Sequence, residues 1–152
     1  VHGNVHGKPV VTIRPFTFFG PHERPDRLIP SVIRSVLSKR PIRITAGKQT
    51  RDYTYVGDVV DAFLRAAIAD SAIGQTIDVG SGTDRSVLEV VERIRALARS
   101  DVPVEVGAMR TRADEVWKSR CDPSRARKLL GWKPALSFDE GLRRTIRWLR
   151  RR

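Results

Sequence analysis

The chain has 152 residues, 40% hydrophobic and 30% charged, which is enough for one domain with a buried core and too apolar for a disordered segment. No apolar run approaches the roughly 20 residues a membrane span needs, no signal-peptide pattern opens the chain, and a cytoplasmic location is the default expectation. Twenty-nine Lys+Arg against 17 Asp+Glu give a net charge of +12, and the single cysteine, Cys121, excludes an internal disulfide or a thiolate metal cluster. The charge excess favours acidic partners. It fits solvated helix faces or a phosphate-bearing small molecule, whereas no recognised motif supports nucleic acid.

In chain order, Val10, Val11 and Ile13 form a β-branched run closed by Arg14-Pro15, which predicts a buried strand. Gly20-Pro21 and Arg24-Pro25 predict a loop. Ile29, Val32, Ile33, Val36 and Leu37 recur at helical spacing, with Pro30 tolerable only in the first turn and Pro41 beyond the end. Ile42 to Ile44 reads as a brief strand, and Asp52 to Val56 as another after a Gly47 turn. Asp58 is the expected N-cap of a helix whose apolar face is Val59, Val60, Phe63, Leu64, Ala67 and Ile68. Thr76 to Val79 is a short strand opening into Gly80-Ser81-Gly82. Ser86 and Glu89 are spaced as a capping box for a helix carrying Val90, Val91, Ile94 and Leu97. Val102 to Val106 follows as a strand. Asp122-Pro123 and Gly131 bracket a short helix, and Ser137 with Glu140 predicts a second capping box for the last one, carrying Leu142, Ile146 and Leu149. Strands alternating with helices predict an α/β fold in one piece.

The residues offer little catalytic machinery. His2 and His6 are four apart, yet Gly3 and Gly7 argue against a rigid helix that would align them as metal ligands, and His22 stands apart from them. Cys121 precedes a helix cap but has no histidine beside it in sequence, so an unreactive thiol is expected. Gly80-Ser81-Gly82 suits phosphate at a helix N-terminus but lacks the third glycine and the later acid of the dinucleotide fingerprint, and a tight turn is the simpler reading. Tyr53 and Tyr55 are followed at the fourth position by Gly57 and Val59, so neither begins a Tyr-x-x-x-Lys pair.

Several segments, in order and at matching spacing, carry a family resemblance. Residues 13–21 (IRPFTFFGP) resemble Leu-Arg-x-Phe-Asn-x-Tyr-Gly-Pro, and residues 49–60 (QTRDYTYVGDVV) resemble Gln-Thr-Arg-Asp-Phe-x-Tyr-Val-x-Asp-Val-Val. Residues 76–82 (TIDVGSG), then Arg112, Cys121-Asp122-Pro123, Leu130-Gly131-Trp132-Lys133-Pro134 and Glu140-Gly141-Leu142 complete the pattern. Together they are similar to the NAD-dependent nucleotide-sugar epimerases and dehydratases of the extended short-chain dehydrogenase/reductase family, in their C-terminal half. The resemblance implies the C-terminal remnant of a Rossmann-type sheet plus a small α/β substrate-binding domain, with residues 1–152 forming a single partial domain.

It also implies roles. Arg51 and Arg112 would flank the diphosphate of a nucleotide-diphosphate sugar, with Arg110 a rival for the second role. Guanidinium forks suit phosphate oxygens. Thr17 would face the sugar or phosphate, Leu28 the phosphates or base, and the Ile44 strand the base pocket. Pro15 and Phe16 would border the nicotinamide of NAD or NADP, which the chain alone is not expected to hold tightly. The family's glycine loop and Tyr-x-x-x-Lys would lie ahead of Val10, in a missing N-terminal half, and the complete enzyme could form a homodimer.

Departures from the pattern leave the sugar and base open: Thr17 stands for asparagine, Asp78 for asparagine, and Ala46-Gly47-Lys48 shortens one loop. Three functions remain in play. They are the substrate-binding portion of an epimerase, dehydratase or reductase; a non-catalytic nucleotide-sugar binding module; and a basic interaction protein using the arginines between Arg143 and Arg152 on acidic surfaces.

Overall fold

The computed structural model describes residues 8–152; His2 and His6 lie outside them. Parallel strand pairs and flanking helices give the mixed α/β architecture expected. Strand β1 (Thr12–Pro15) pairs in parallel with β5 (Thr76–Val79), so that Ile13 lies beside Ile77 and Arg14 beside Asp78. Strand β2 (Thr17–Phe19) runs parallel to β4 (Thr50–Tyr55), which also takes β6 (Asp84–Ser86) antiparallel and the two-residue β8 (Lys118–Ser119) parallel. Strand β3 (Ile42–Ile44) pairs with β7 (Val104–Val106).

The helices are α1 (Leu28–Leu37), α2 (Val56–Ala67), α3 (Val87–Ala98), α4 (Ser124–Leu130) and α5 (Phe138–Leu149). Two apolar clusters hold them. Helices α1, α3 and α5 close over Phe19, Ile42 and Ile44 through Ile33, Val90, Ile94, Leu142 and Ile146. The second cluster seats Trp132 and Ala126 against Ile77, Val79 and the small face of α2. The indole Nε1 of Trp132 donates to the Asp58 carbonyl at 2.9 Å, so its polar edge is satisfied in the core.

Several expectations are corrected. β1 is not buried on both faces: Thr12 and Arg14 are exposed, Ile13 and Pro15 half-buried, and Val10 lies exposed before the strand. Among the described residues β5 is its one partner strand. Asp58 does not cap α2, which starts at Val56 after Tyr55; its buried carboxylate instead accepts from the amides of Ala135 and Leu136 at 3.1 and 3.3 Å. Helix α2 buries Val59, Ala62 and Ala66, while Val60, Phe63 and Leu64 stay exposed, as does Ile68, at 86%, just past its end. The small stripe wins because close approach to α4 and the β-strands needs short side chains.

The Ser86–Glu89 capping box is complete in both directions. At α5 only half of one forms: Ser137 accepts from the Glu140 amide, while the Glu140 carboxylate turns to Arg144. Gly131 ends α4 in the left-handed region at φ 57°, as its position predicts. No helix among the described residues is long and apolar enough to cross a membrane.

In the isolated chain, hydrogen exchange should therefore find the amides of Thr12–Arg14 least protected and those around Val90–Ile94 most protected. The exposed α2 face should drive self-association that Phe63→Glu relieves on analytical ultracentrifugation. Uniform protection from Val10 onward in a monodisperse monomer would refute both expectations.

Candidate functional site

The carboxyl ends of β1 and β5 and the start of β2 open onto a cavity of about 930 Å³, lined by Pro15, Phe16, Thr17, Asp78, Glu23, Arg27 and Arg51 among others. Open α/β sheets place ligands at this end of their strands. A smaller chamber of about 230 Å³ adjoins it, lined by Leu28, Gln49, Val87, Arg112 and Glu115. Thr17, Glu23, Arg27 and Arg51 line both. They come from β2, the loop before α1, and β4, which the core packing of α1 and β4 brings together.

The cleft is rich in arginine, yet its cations are largely answered from within. Arg14 grips Asp78 in a bidentate pair at 2.7 and 2.9 Å. Arg24 does the same with Asp26 at 3.1 and 2.8 Å. The Arg51 Nη2 lies 2.5 Å from Glu115 Oε1, with both side chains mostly buried, while its Nη1 donates to the Thr50 carbonyl at 2.8 Å. Arg27 approaches Glu23 more loosely, at 3.9 Å. These pairs hold the guanidinium groups at the cleft wall.

Glu23 is the least comfortable member. Its side chain is 13% exposed, and its Oε2 is buried without a hydrogen-bond partner. Desolvation pushes its carboxyl up to about 7, against the opposing pull of the Arg27 charge and a hydrogen bond with the Gly20 backbone. Burial likewise pushes the Tyr53 phenol, on the adjoining β4, up to about 12.

Gly80-Ser81-Gly82 does form an anion nest, but its anion is the protein's own. The fully buried Asp52 accepts from the Ser81 amide and hydroxyl at 2.8 and 2.7 Å, the Gly82 amide at 2.8 Å and the Cys121 amide at 3.2 Å. A Cβ on Gly80 would stand 2.4 Å from Cys121 Cβ, so this approach requires glycine. Cys121 is buried, and desolvation pushes its thiol up to about 12, far from a reactive thiolate.

Of the residues singled out in the sequence, Pro15, Phe16 and Thr17 line the larger cavity, Leu28 and Arg112 the smaller, and Arg51 and Thr17 both. Arg110 lines neither. The Ile44 side chain, at 3% exposure, faces the core and lines neither cavity, because strand alternation turns Arg43 outward and Ile44 in. Sequence reasoning missed Glu23, Arg27 and Glu115. The i,i+4 spacing of Glu23 and Arg27 was a signal, hidden in a segment that Gly20-Pro21 and Arg24-Pro25 mark as loop. Among the described residues no group of three His, Cys, Asp or Glu side chains could hold a metal.

A family profile described as GDP-mannose 4,6 dehydratase matches residues 3–145, and the chain belongs to that family. It is 33% identical to a dTDP-glucose 4,6-dehydratase of Xanthomonas campestris pv. campestris over 95% of this chain and 44% of that protein. A UDP-glucuronate 4-epimerase of Thermodesulfobacterium geofontis is 32% identical over 95% and 44%. Among solved structures, a Bacillus cereus UDP-glucuronic acid 4-epimerase in complex with UDP-glucuronic acid and NAD superposes with a TM-score of 0.90 at 28% identity, over 99% of this chain and 48% of that one. An epimerase from Methanothermobacter thermautotrophicus gives 0.90 at 33%, over 99% and 46%. The chain thus spans less than half the length of these relatives.

Replacing Asp52 by alanine should leave the Ser81, Gly82 and Cys121 amides unsatisfied. The expected loss is about 2–5 kcal/mol of unfolding free energy in urea titrations, with Asp52→Asn losing less. A change under about 0.5 kcal/mol in both variants would show that the nest is not needed.

Proposed function

We propose that this chain is the substrate-binding portion of an NAD(P)-dependent nucleotide-sugar epimerase, dehydratase or reductase, and that it grips the nucleotide diphosphate. One observation carries the reading. Two adjoining chambers share Arg27 and Arg51 at their junction, and Arg112 lines the smaller one. A ligand with a central diphosphate and a bulky group at either end suits such a plan.

The sugar takes the larger cavity beside Thr17, and the base the smaller chamber beside Leu28 and Val87. Pro15 and Phe16, at the strand ends, border the nicotinamide. They offer an apolar edge to a flat ring and no phosphate cradle, since the glycine turn after β5 is filled by Asp52. NAD(P), held by a nucleotide-binding half, supplies hydride transfer at a sugar carbon. This chain's residues bind, orient and screen the substrate. Residues 1–152 are then one partial domain, and β1 with the exposed face of α2 is where the other half packs.

Two expected outcomes test this. The chain alone should turn over no nucleotide sugar above a buffer control. In the complete enzyme, Arg51→Ala and Arg112→Ala should each raise KM about ten- to 150-fold, as charge-assisted hydrogen bonds of about 1.5–3 kcal/mol imply. Unchanged kinetics in both variants would reject the diphosphate site; a loss in Arg110→Ala alone would move the second role to Arg110.

A further inference from the structure

In the described structure each arginine at the rim of the larger cavity has a carboxylate partner: Arg14 has Asp78, Arg24 has Asp26, Arg51 has Glu115 and Arg27 has Glu23. A diphosphate brings two negative charges into a wall that is already close to neutral. It binds well only if some resident carboxylate gives up its arginine or its charge. Asp78 and Asp26 hold bidentate, outward pairs and have solvent to share. Glu115 sits at hydrogen-bond distance from Arg51. Glu23 differs from all three: its contact with Arg27 is long, its Oε2 is orphaned, and it lies at the junction of the two chambers.

We propose that Glu23 is a proton-coupled binding residue, which takes up one proton as a nucleotide sugar binds and so releases Arg27 to the diphosphate. The inference rests on the nucleotide-sugar reading given above. The proton comes from solvent and returns to it when the ligand leaves. Once neutral, the carboxyl turns from a repelling charge into a hydrogen-bond donor for a phosphate or sugar oxygen. Burial favours this protonation at moderate pH, since the carboxyl already titrates near 7 without a ligand.

The charged and titratable neighbours of Glu23 are few enough to control. His22 and Arg24 flank it in the loop, Asp26 and Arg27 precede α1, Arg51 and Tyr53 come from β4, and Arg112 and Glu115 line the smaller chamber beside it. Arg14 and Asp78 line the same larger cavity. Burial pushes the Tyr53 phenol up to about 12, outside the neutral range. His22 is the one neighbour ordinarily able to mimic the effect. It sits in the left-handed region at φ 66°, where asparagine is well tolerated, so His22→Asn is the matched control.

Calorimetry of the full chain with UDP-glucose, dTDP-glucose and GDP-mannose between pH 6 and 9 decides the matter. The diphosphate diester of these probes has no ionisation in that window. For a residue titrating near 7, the Kd of whichever probe binds should rise about tenfold per pH unit above 7, or about a hundredfold from pH 6 to 9. Binding at pH 8 in buffers of different ionisation enthalpy should show uptake of close to one proton, a measurement that needs no variant. Glu23→Gln should bind at pH 9 as the unaltered chain does at pH 6, with no proton uptake, and His22→Asn should keep the pH dependence.

A pH-independent Kd without proton uptake would overturn the role of Glu23 and leave the nucleotide-sugar site standing. So would loss of all binding in a folded Glu23→Gln, or a slope lost in His22→Asn and kept in Glu23→Gln. No binding of any probe by either the unaltered chain or Glu23→Gln would overturn the nucleotide-sugar reading, and this inference with it.

Discussion

The buried carboxylate of Asp52 is the interaction on which the site depends. A charge removed from water is costly unless hydrogen bonds replace its hydration. Asp52 recovers them from the Ser81 and Gly82 turn and from Cys121, residues 29 to 69 positions away. One side chain thus fastens β4 to the turn after β5 and to the segment entering α4. Because alternate strand residues face opposite ways, pinning Asp52 inward turns its neighbour Arg51 toward the cleft. The nest that resembles a phosphate loop in sequence is therefore a structural device, already filled by the Asp52 carboxylate.

Those arginines explain why a net charge of +12 says so little by itself. Within the cleft, cations and anions are paired across large sequence separations, Arg14 with Asp78 and Arg51 with Glu115. Pairing keeps the long side chains in place and lowers the entropy lost when a ligand arrives. It also means that affinity is a difference between two sets of ion pairs, the resident set and the set made with the ligand. The Asp78 departure from asparagine fits this: it gives Arg14 a partner directly opposite in the parallel register.

Much of the architecture was legible because it rests on local chemistry. The Ser86–Glu89 box, Gly131 after α4 and the proline-bounded α1 each follow from a few adjacent residues. The errors arise where tertiary packing outvotes local pattern. Of the apolar residues expected on the buried face of α2, Val59 does pack, but Ala62 and Ala66 join it in place of Phe63 and Leu64, because the available gap is narrow. Asp58 has a capping residue's chemistry and spends it on a distant loop. Within the site, Arg51 and Thr17 were readable from motif resemblance. Glu23 and Glu115 matter through burial and distance, neither of which a sequence window carries.

The same contrast governs how the cleft can change. Its floor is built from β2 and β4 over the buried cluster that contains Phe19, Ile33 and Leu142. Arg14 and Arg51 stand on β1 and β4, whereas Arg24, Arg27 and Arg112 stand on connecting segments. The segment holding Arg112 and Glu115 is tied by backbone bonds from Gly107 to Thr45, from Met109 to Ile44 and from Thr50 to Trp117. Those ties fix its two ends and leave Glu115 between them, held to the body of the chain by Arg51 itself. An exchange of Glu115 for a diphosphate at Arg51 would thus disturb neither β3 nor β4, since their anchoring bonds are backbone bonds outside the pair. Ion pairs set over an apolar cluster can exchange partners while the core beneath them keeps its packing.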